Sequence, residues 1–162
     1  MPISWQTEGM PVLLIRHAHA GTRKDWDGDD LLRPLSERGV RQARRLVATA
    51  DGLGVQRILT SPFTRCQDTV APLAKALGLK LEITDLLGEG HGTDALRLVR
   101  SLAHDKVALC THGDVIPDVL VALADEDRLD LGPRPRQAKG SVWVLETSGE
   151  LFTKATYLPP AA

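Results

Sequence analysis

Leu14-Ile15-Arg16-His17, followed directly by Ala18-His19-Ala20-Gly21, is an apolar run that breaks off in a cation and an imidazole. Traced back to Val12, the run reads as a short buried strand whose carboxyl end presents two basic groups. The pattern recurs along the chain. Strand-like runs over 57–60, over 80–84 (the more exposed one) and over 107–110 are followed in turn by Arg65, Glu89 and His112.

Helical patterns separate the strands. Ser36 is the expected N-cap of a helix with the apolar stripe Val40, Ala43, Leu46, Val47 and Ala50, while Arg38, Arg41, Arg44 and Arg45 form its solvated face. A second helix carries Val70, Leu73, Ala74 and Leu77 and stops at Gly78, with Pro72 as a kink or a late start. A third begins at Thr93 and buries Leu96, Val99, Leu102 and Ala103. The fourth starts just after His112, tolerates Pro117 in its first turn and buries Val115, Ile116, Val119, Leu120 and Leu123. Residues 127–139, charged and interrupted by Pro133 and Pro135, read as a surface loop; 141–146 and 151–157, joined by Ser148-Gly149-Glu150, read as an antiparallel hairpin. The alternation predicts an α/β three-layer sandwich, with a mainly parallel central sheet, helices on both faces and an antiparallel C-terminal hairpin. With 162 residues, no repeats and no long linker, positions 1–162 read as a single domain.

Composition narrows the function classes. The chain is 43% hydrophobic and 25% charged with a formal net charge of −1, so it lacks the basic excess of a dedicated nucleic-acid binder and must recognise any anion locally. Residues 1–10 show neither a basic export region nor a long apolar stretch, and no later run has the length to span a bilayer. Cys66 and Cys110 lack CxxC spacing, and Cys110 sits in an apolar run where a reduced, buried thiol is expected. These features predict a cytoplasmic protein with no membrane and no nucleic-acid polymer among its partners.

Ligands of open parallel sheets bind outside the carboxyl ends of the strands. Arg16 and His17, the segment Ser61-Pro62-Phe63-Thr64-Arg65, Glu89, and Thr111-His112-Gly113 are therefore expected to converge on one pocket, with His17 at an exposed strand end. Two arginines and two histidines around a small volume trap a dianion, because guanidinium groups hold phosphoryl oxygens in pairs and stay charged at any working pH. The helix opening after His112 adds backbone N–H groups and a positive dipole. A histidine in that field is a nucleophile for phosphorus, and Glu89 is the candidate acid for the leaving group, with Asp85 as its rival. Arg23 and Lys24 read as a substrate-binding rim; Arg134, Arg136 and Lys139 would hold further phosphates if their loop folds over the same sheet end. His19, His91 and His104 read as solvent-facing or supporting histidines.

Two rival readings use the same residues. His17-Ala18-His19 fits a metal-ligand pair, but no acid follows it, and Arg16 and Arg65 would crowd a bound cation. The alternative without turnover is a phosphate-binding module that keeps the trap alone. Asp25-Trp26-Asp27-Gly28-Asp29-Asp30 has its glycine too early for a calcium loop and Ser36 in place of the closing glutamate, so it reads as a surface acidic loop.

Leu13-Leu14-Ile15-Arg16-His17, Leu35-Ser36-Glu37-Arg38-Gly39, Thr60-Ser61-Pro62-Phe63-Thr64-Arg65-Cys66-Gln67-Asp68-Thr69 and Thr111-His112-Gly113 together resemble the histidine phosphatase superfamily, with its phosphoglycerate mutase-like fold. The short length resembles the SixA-type phosphohistidine phosphatases. The stretch from Arg16 to Gly21, with Asp29-Asp30, Arg33-Pro34-Leu35 and Lys139-Gly140-Ser141-Val142-Trp143-Val144-Leu145, is most similar to the phosphatase domain appended to some bacterial Nudix (MutT-type) hydrolases. The resemblance implies a metal-independent phosphatase without cofactor, with His17 as nucleophile, Arg16, Arg65 and His112 as phosphate ligands, and Glu89 as proton donor. Ala18 departs from the glycine usual after the nucleophile, and the insertions that cap the mutases' pocket are missing, which disfavours mutase activity. The substrate candidates are a phosphohistidine protein, a small sugar or glycerol phosphate, and a nucleotide.

Overall fold

The computed structural model describes residues 11–160; the reading of residues 1–10 as free of an export signal lies outside them. Strands β1 (Val12–Arg16), β2 (Arg57–Thr60), β3 (Leu81–Ile83), β4 (Val107–Thr111), β5 (Val142–Ser148) and β6 (Leu151–Leu158) form one sheet in the order β3-β2-β4-β1-β5-β6. β1 runs parallel to β4, β4 to β2 and β2 to β3, while β5 pairs antiparallel with β1 and with β6. The inner strands have buried side chains on both faces, which is why they read as unbroken apolar runs. In β1, Val12 and Leu14 join one core and Leu13 and Ile15 the other.

Helices α1 (Glu37–Thr49) and α2 (Thr64–Leu77) cover the face that holds Leu13 and Ile15, through Leu46, Val70 and Leu73. Helices α3 (Gly92–Ser101) and α4 (Val115–Asp127) cover the other, through Val99, Val119 and Leu123. Full burial of each such side chain contributes about 1.5–3 kcal/mol, so the paired cores are the main stabilising term. Ser36 caps α1 as expected, its Oγ accepting from Gly39 N at 3.1 Å. Among the described residues no helix is long and apolar enough to cross a membrane.

Three expectations shift. In α1, Val40 is 39% exposed while Gly39 and Gln42 turn inward, because the segment after β1 docks there. A Cβ on Gly39 would collide with His19 O, and Gln42 Oε1 accepts from His19 N at 2.9 Å. Pro72 neither starts nor divides α2, which already begins at Thr64. β3 is three residues long, because it is the sheet edge and Ile83 is 56% exposed.

Candidate active site

β1 delivers Arg16 and His17 to the carboxyl edge, where Arg16 N bonds Ser141 O and His17 N bonds Thr111 O, both at 3.1 Å. The segment after β1 is tied to α2, since Ala18 N donates to Thr69 Oγ1 at 2.9 Å and that hydroxyl donates to Arg65 O at 2.7 Å. His17 Nδ1 lies 2.8 Å from Ala18 O. A carbonyl can only accept, so Nδ1 holds the ring proton and Nε2 keeps its lone pair.

The strand end is not open: His17 is only 6% exposed, because α2 and the segment after β1 close over it. Burial is the main reason its pKa falls from the ordinary 6.5 to about 3; His112, Arg65 and Arg16 push the same way against the Ala18 carbonyl. The ring is therefore neutral at working pH, as a nucleophile must be.

Arg65, 1% exposed at the start of α2, is gripped on several sides. Its Nη2 donates to Glu89 Oε1 at 2.6 Å and lies 3.2 Å from Asp30 Oδ2, its Nη1 donates to Asp30 O at 3.0 Å, and its guanidinium sits 4.7 Å over the Phe63 ring. Asp30 also bonds Arg33 Nε at 2.9 Å and Arg23 Nη2 at 3.1 Å. Burial alone would raise the Asp30 carboxyl, but Arg33, Arg23 and Arg65 hold it down to about 2.

His112 ends β4 with Nε2 bonded to Ser61 Oγ at 2.8 Å, and its Nδ1 lies 3.6 Å from Glu89 Oε1. Cys66 Sγ stands 3.6 Å from the same Nε2, so the buried thiol supports the ring from behind. Arg16 donates through Nη1 to Gln137 O at 2.8 Å and lies across Gly113, where a Cβ would come within 2.6 Å of its Nη2. A side chain at residue 113 would thus evict the guanidinium. Asp114 accepts from Gly90 N at 2.8 Å and so fixes the loop that presents Glu89.

Arg16, His17, Arg65, Glu89 and His112 line one cavity of about 570 Å³, joined by Arg23, Arg33, Asp114 and Lys139. Lys24, Arg134 and Arg136 are exposed and do not line it, nor does Asp85, exposed on a turn after β3. His19 turns to Ser36 Oγ at 2.6 Å, and therefore does not pair with His17 around a metal. Among the described residues no group of three or more His, Cys, Asp or Glu is placed to hold a metal ion. His91 pairs with Asp94 at 2.9 Å and His104 is exposed.

Asp114, and the supporting roles of Asp30, Ser61 and Thr69, are not signalled locally in the sequence, one exception apart. The acidic stretch ending at Asp30 looked like plain surface; the one local signal was Asp30 and Arg33 at i,i+3 across a short 3-10 turn.

The depressed His17 value makes a stability prediction. The unfolded ring takes a proton below pH 6.5 and the folded one only near pH 3, so the unfolded state binds more protons in between and acid destabilises the fold. From pH 8 to pH 5 the loss from this group is about 2 kcal/mol. Asp30 adds to acid sensitivity only lower, its contribution being complete above pH 3.8 and lost as pH falls toward 2. Urea unfolding at pH 8 and pH 5 should show a smaller drop in His17→Ala than in the parent. Equal drops would contradict a buried neutral ring.

The histidine phosphatase superfamily (branch 1) family model matches residues 12–96. An 8-oxo-(d)GTP phosphatase from Mycolicibacterium smegmatis is 34% identical over 158 residues; the match covers 92% of this chain and 48% of that protein, so the chain spans about half the length of this curated relative. The protein histidine phosphatase SixA complexed with tungstate superposes with a TM-score of 0.72 at 18% identity, over 93% of this chain and 95% of that one. A mycobacterial glucosyl-3-phosphoglycerate phosphatase complexed with VO3 gives a TM-score of 0.71 at 16% identity, over 95% of this chain and 100% of that one. These two likenesses show a shared fold, the phosphoglycerate mutase-like α/β sandwich. With the family model covering more than half of its length, the chain belongs to the histidine phosphatase superfamily, branch 1.

Proposed function

We propose that this chain is a metal-independent phosphatase that transfers the phosphoryl group of a small phosphorylated substrate to His17 and then to water. The observation that carries the reading is a set of buried side-chain nitrogens left without partners. Arg16 Nε, Arg65 Nε and His112 Nδ1 are buried without a hydrogen-bond partner in the protein, and all three residues line the cavity that holds His17. An unsatisfied buried donor costs about 1–3 kcal/mol, a cost that a phosphoryl group's oxygens would remove.

In this reading His17 Nε2 attacks phosphorus and the P–O bond to the leaving group breaks, while Arg16, Arg65 and His112 hold the three non-bridging oxygens as charge builds on them. Glu89, which lines the cavity beside Arg65, gives its proton to the departing oxygen. Water then attacks the phosphohistidine, Glu89 takes a proton from it, and phosphate leaves with Nε2 restored. Glu89 is favoured over Asp85 because it lines the cavity.

The substrate is read as a phosphate ester or nucleotide phosphate, since an ester leaves as an alkoxide and needs a positioned acid, whereas a phosphoramidate leaves readily without one. The name of the curated relative, an 8-oxo-(d)GTP phosphatase, supports the nucleotide side. Residues 1–162 act in this reading as one catalytic domain, because one sheet spans β1 to β6 with a core on each face. We place it in the cytoplasm, consistent with two free, buried cysteines.

The test compares alkyl and aryl phosphates in buffer containing EDTA. The parent should turn over both, and Glu89→Gln should slow alkyl esters by about 10²-fold or more but activated aryl esters far less. Equal slowing would make Glu89 a binding residue, and no turnover by the parent would leave a phosphate-binding module.

A further inference from the structure

The cavity has more positive charge than one phosphoryl group requires, and the excess is concentrated at Lys139. Arg23 and Arg33, the other cavity cations outside the proposed phosphoryl contacts, are both committed to Asp30 at 3.1 and 2.9 Å. Lys139 lines the same cavity, is half-buried, and forms no ion pair among the described residues. Its charged neighbours are Arg16, Arg33, Arg65 and Arg38, so burial and like charge together push its ammonium below the usual lysine range.

The position is built rather than incidental. Gly140 N, next in the chain, donates to both Arg16 O at 3.1 Å and His17 O at 3.0 Å, and Gln137 O accepts from Arg16 Nη1 at 2.8 Å. The backbone on either side of Lys139 is thus pinned to the phosphoryl end of the site. That anchoring sets the root of the Lys139 side chain beside the phosphoryl end, and the side chain lines the cavity wall. The acids that line the cavity are already engaged, Glu89 with Arg65 and Asp114 with Gly90 N, and Asp30 behind it holds three arginines.

We propose that Lys139, backed by the field of Arg33 and Arg38, is a second anion subsite, and that the substrate carries a second phosphoryl group there while its reacting phosphoryl group sits at His17. This rests on the phosphatase reading and narrows it to small substrates with two phosphoryl groups, either joined as in a nucleoside diphosphate or spaced apart as in a bisphosphate.

Binding of stable probes tests this separately from turnover. Calorimetry on the full chain would compare methylphosphonate, methylenediphosphonate and propylene-1,3-diphosphonate. At least one diphosphonate should bind about tenfold or more tightly than methylphosphonate; preference for the methylene compound indicates joined phosphates, and for the propylene compound spaced ones. Lys139→Gln should collapse that ratio to about threefold or less, and Lys139→Arg should restore it. Equal affinity of all three probes for the parent, or a ratio that survives Lys139→Gln, overturns the subsite. Loss of the phosphatase reading would show instead as absent turnover of aryl phosphates with the binding ratio intact.

Discussion

Replacing His17 with alanine should reduce turnover by about 10⁴-fold or more while leaving a folded chain. The ring is buried, but it contributes chemistry more than cohesion: it is held neutral among Arg16, Arg65 and His112, and its one protein hydrogen bond runs to the neighbouring Ala18 carbonyl. Deleting it removes a desolvated group that the fold holds at some cost, so thermal unfolding at pH 7 should shift only modestly. The Arg16, Arg65 and His112 donors remain, and the variant should still bind vanadate or phosphate. Activity within tenfold of the parent would remove His17 from the chemistry.

Arg65→Ala should damage activity and stability together. The guanidinium meets charge in ground and transition states, so kcat/KM should fall by about 10³-fold or more, with weaker phosphate binding as well. The same change strips Glu89 and Asp30 of the cation at 2.6 and 3.2 Å and leaves a void under Phe63. Because those carboxylates are partly solvated, the stability loss should be about 2 kcal/mol, below the 3–5 typical of a fully buried pair. Arg65→Lys separates the two effects: it returns a charge but not the two-pronged geometry, so it should recover stability more than kcat/KM. A variant with full stability loss but near-parent kcat/KM would make Arg65 a structural residue only.

What could be read from the chain follows from how local each signal is. β1, β2 and β4 are buried on both faces, so burial left continuous apolar runs whose limits matched to within a residue. His17, Arg65, Glu89 and His112 were visible because each follows such a run, and parallel topology brings those ends together. The role of Asp30 is not legible locally, since its meaning lies in Arg65, 35 residues further on, and by periodicity alone it is one acid among several in a turn. Nor was the inward turn of Gly39 and Gln42 in α1, which follows from the docking of His19 and not from helical periodicity. The burial of His17 is non-local in the same way: the segment after β1 closes over it only because Ala18 is tied to Thr69 of α2, distant in sequence.

A covalent phosphohistidine on His17 is the central claim, and rapid quench tests it most directly. The parent, mixed with a ³²P-labelled aryl phosphate and quenched in base within milliseconds, should yield label on the protein that survives base, is released by acid, and maps to the peptide containing His17. The same label should be absent from His17→Ala. Substrate turnover with no protein-bound label at any time, or label that maps elsewhere and persists in His17→Ala, would contradict the account.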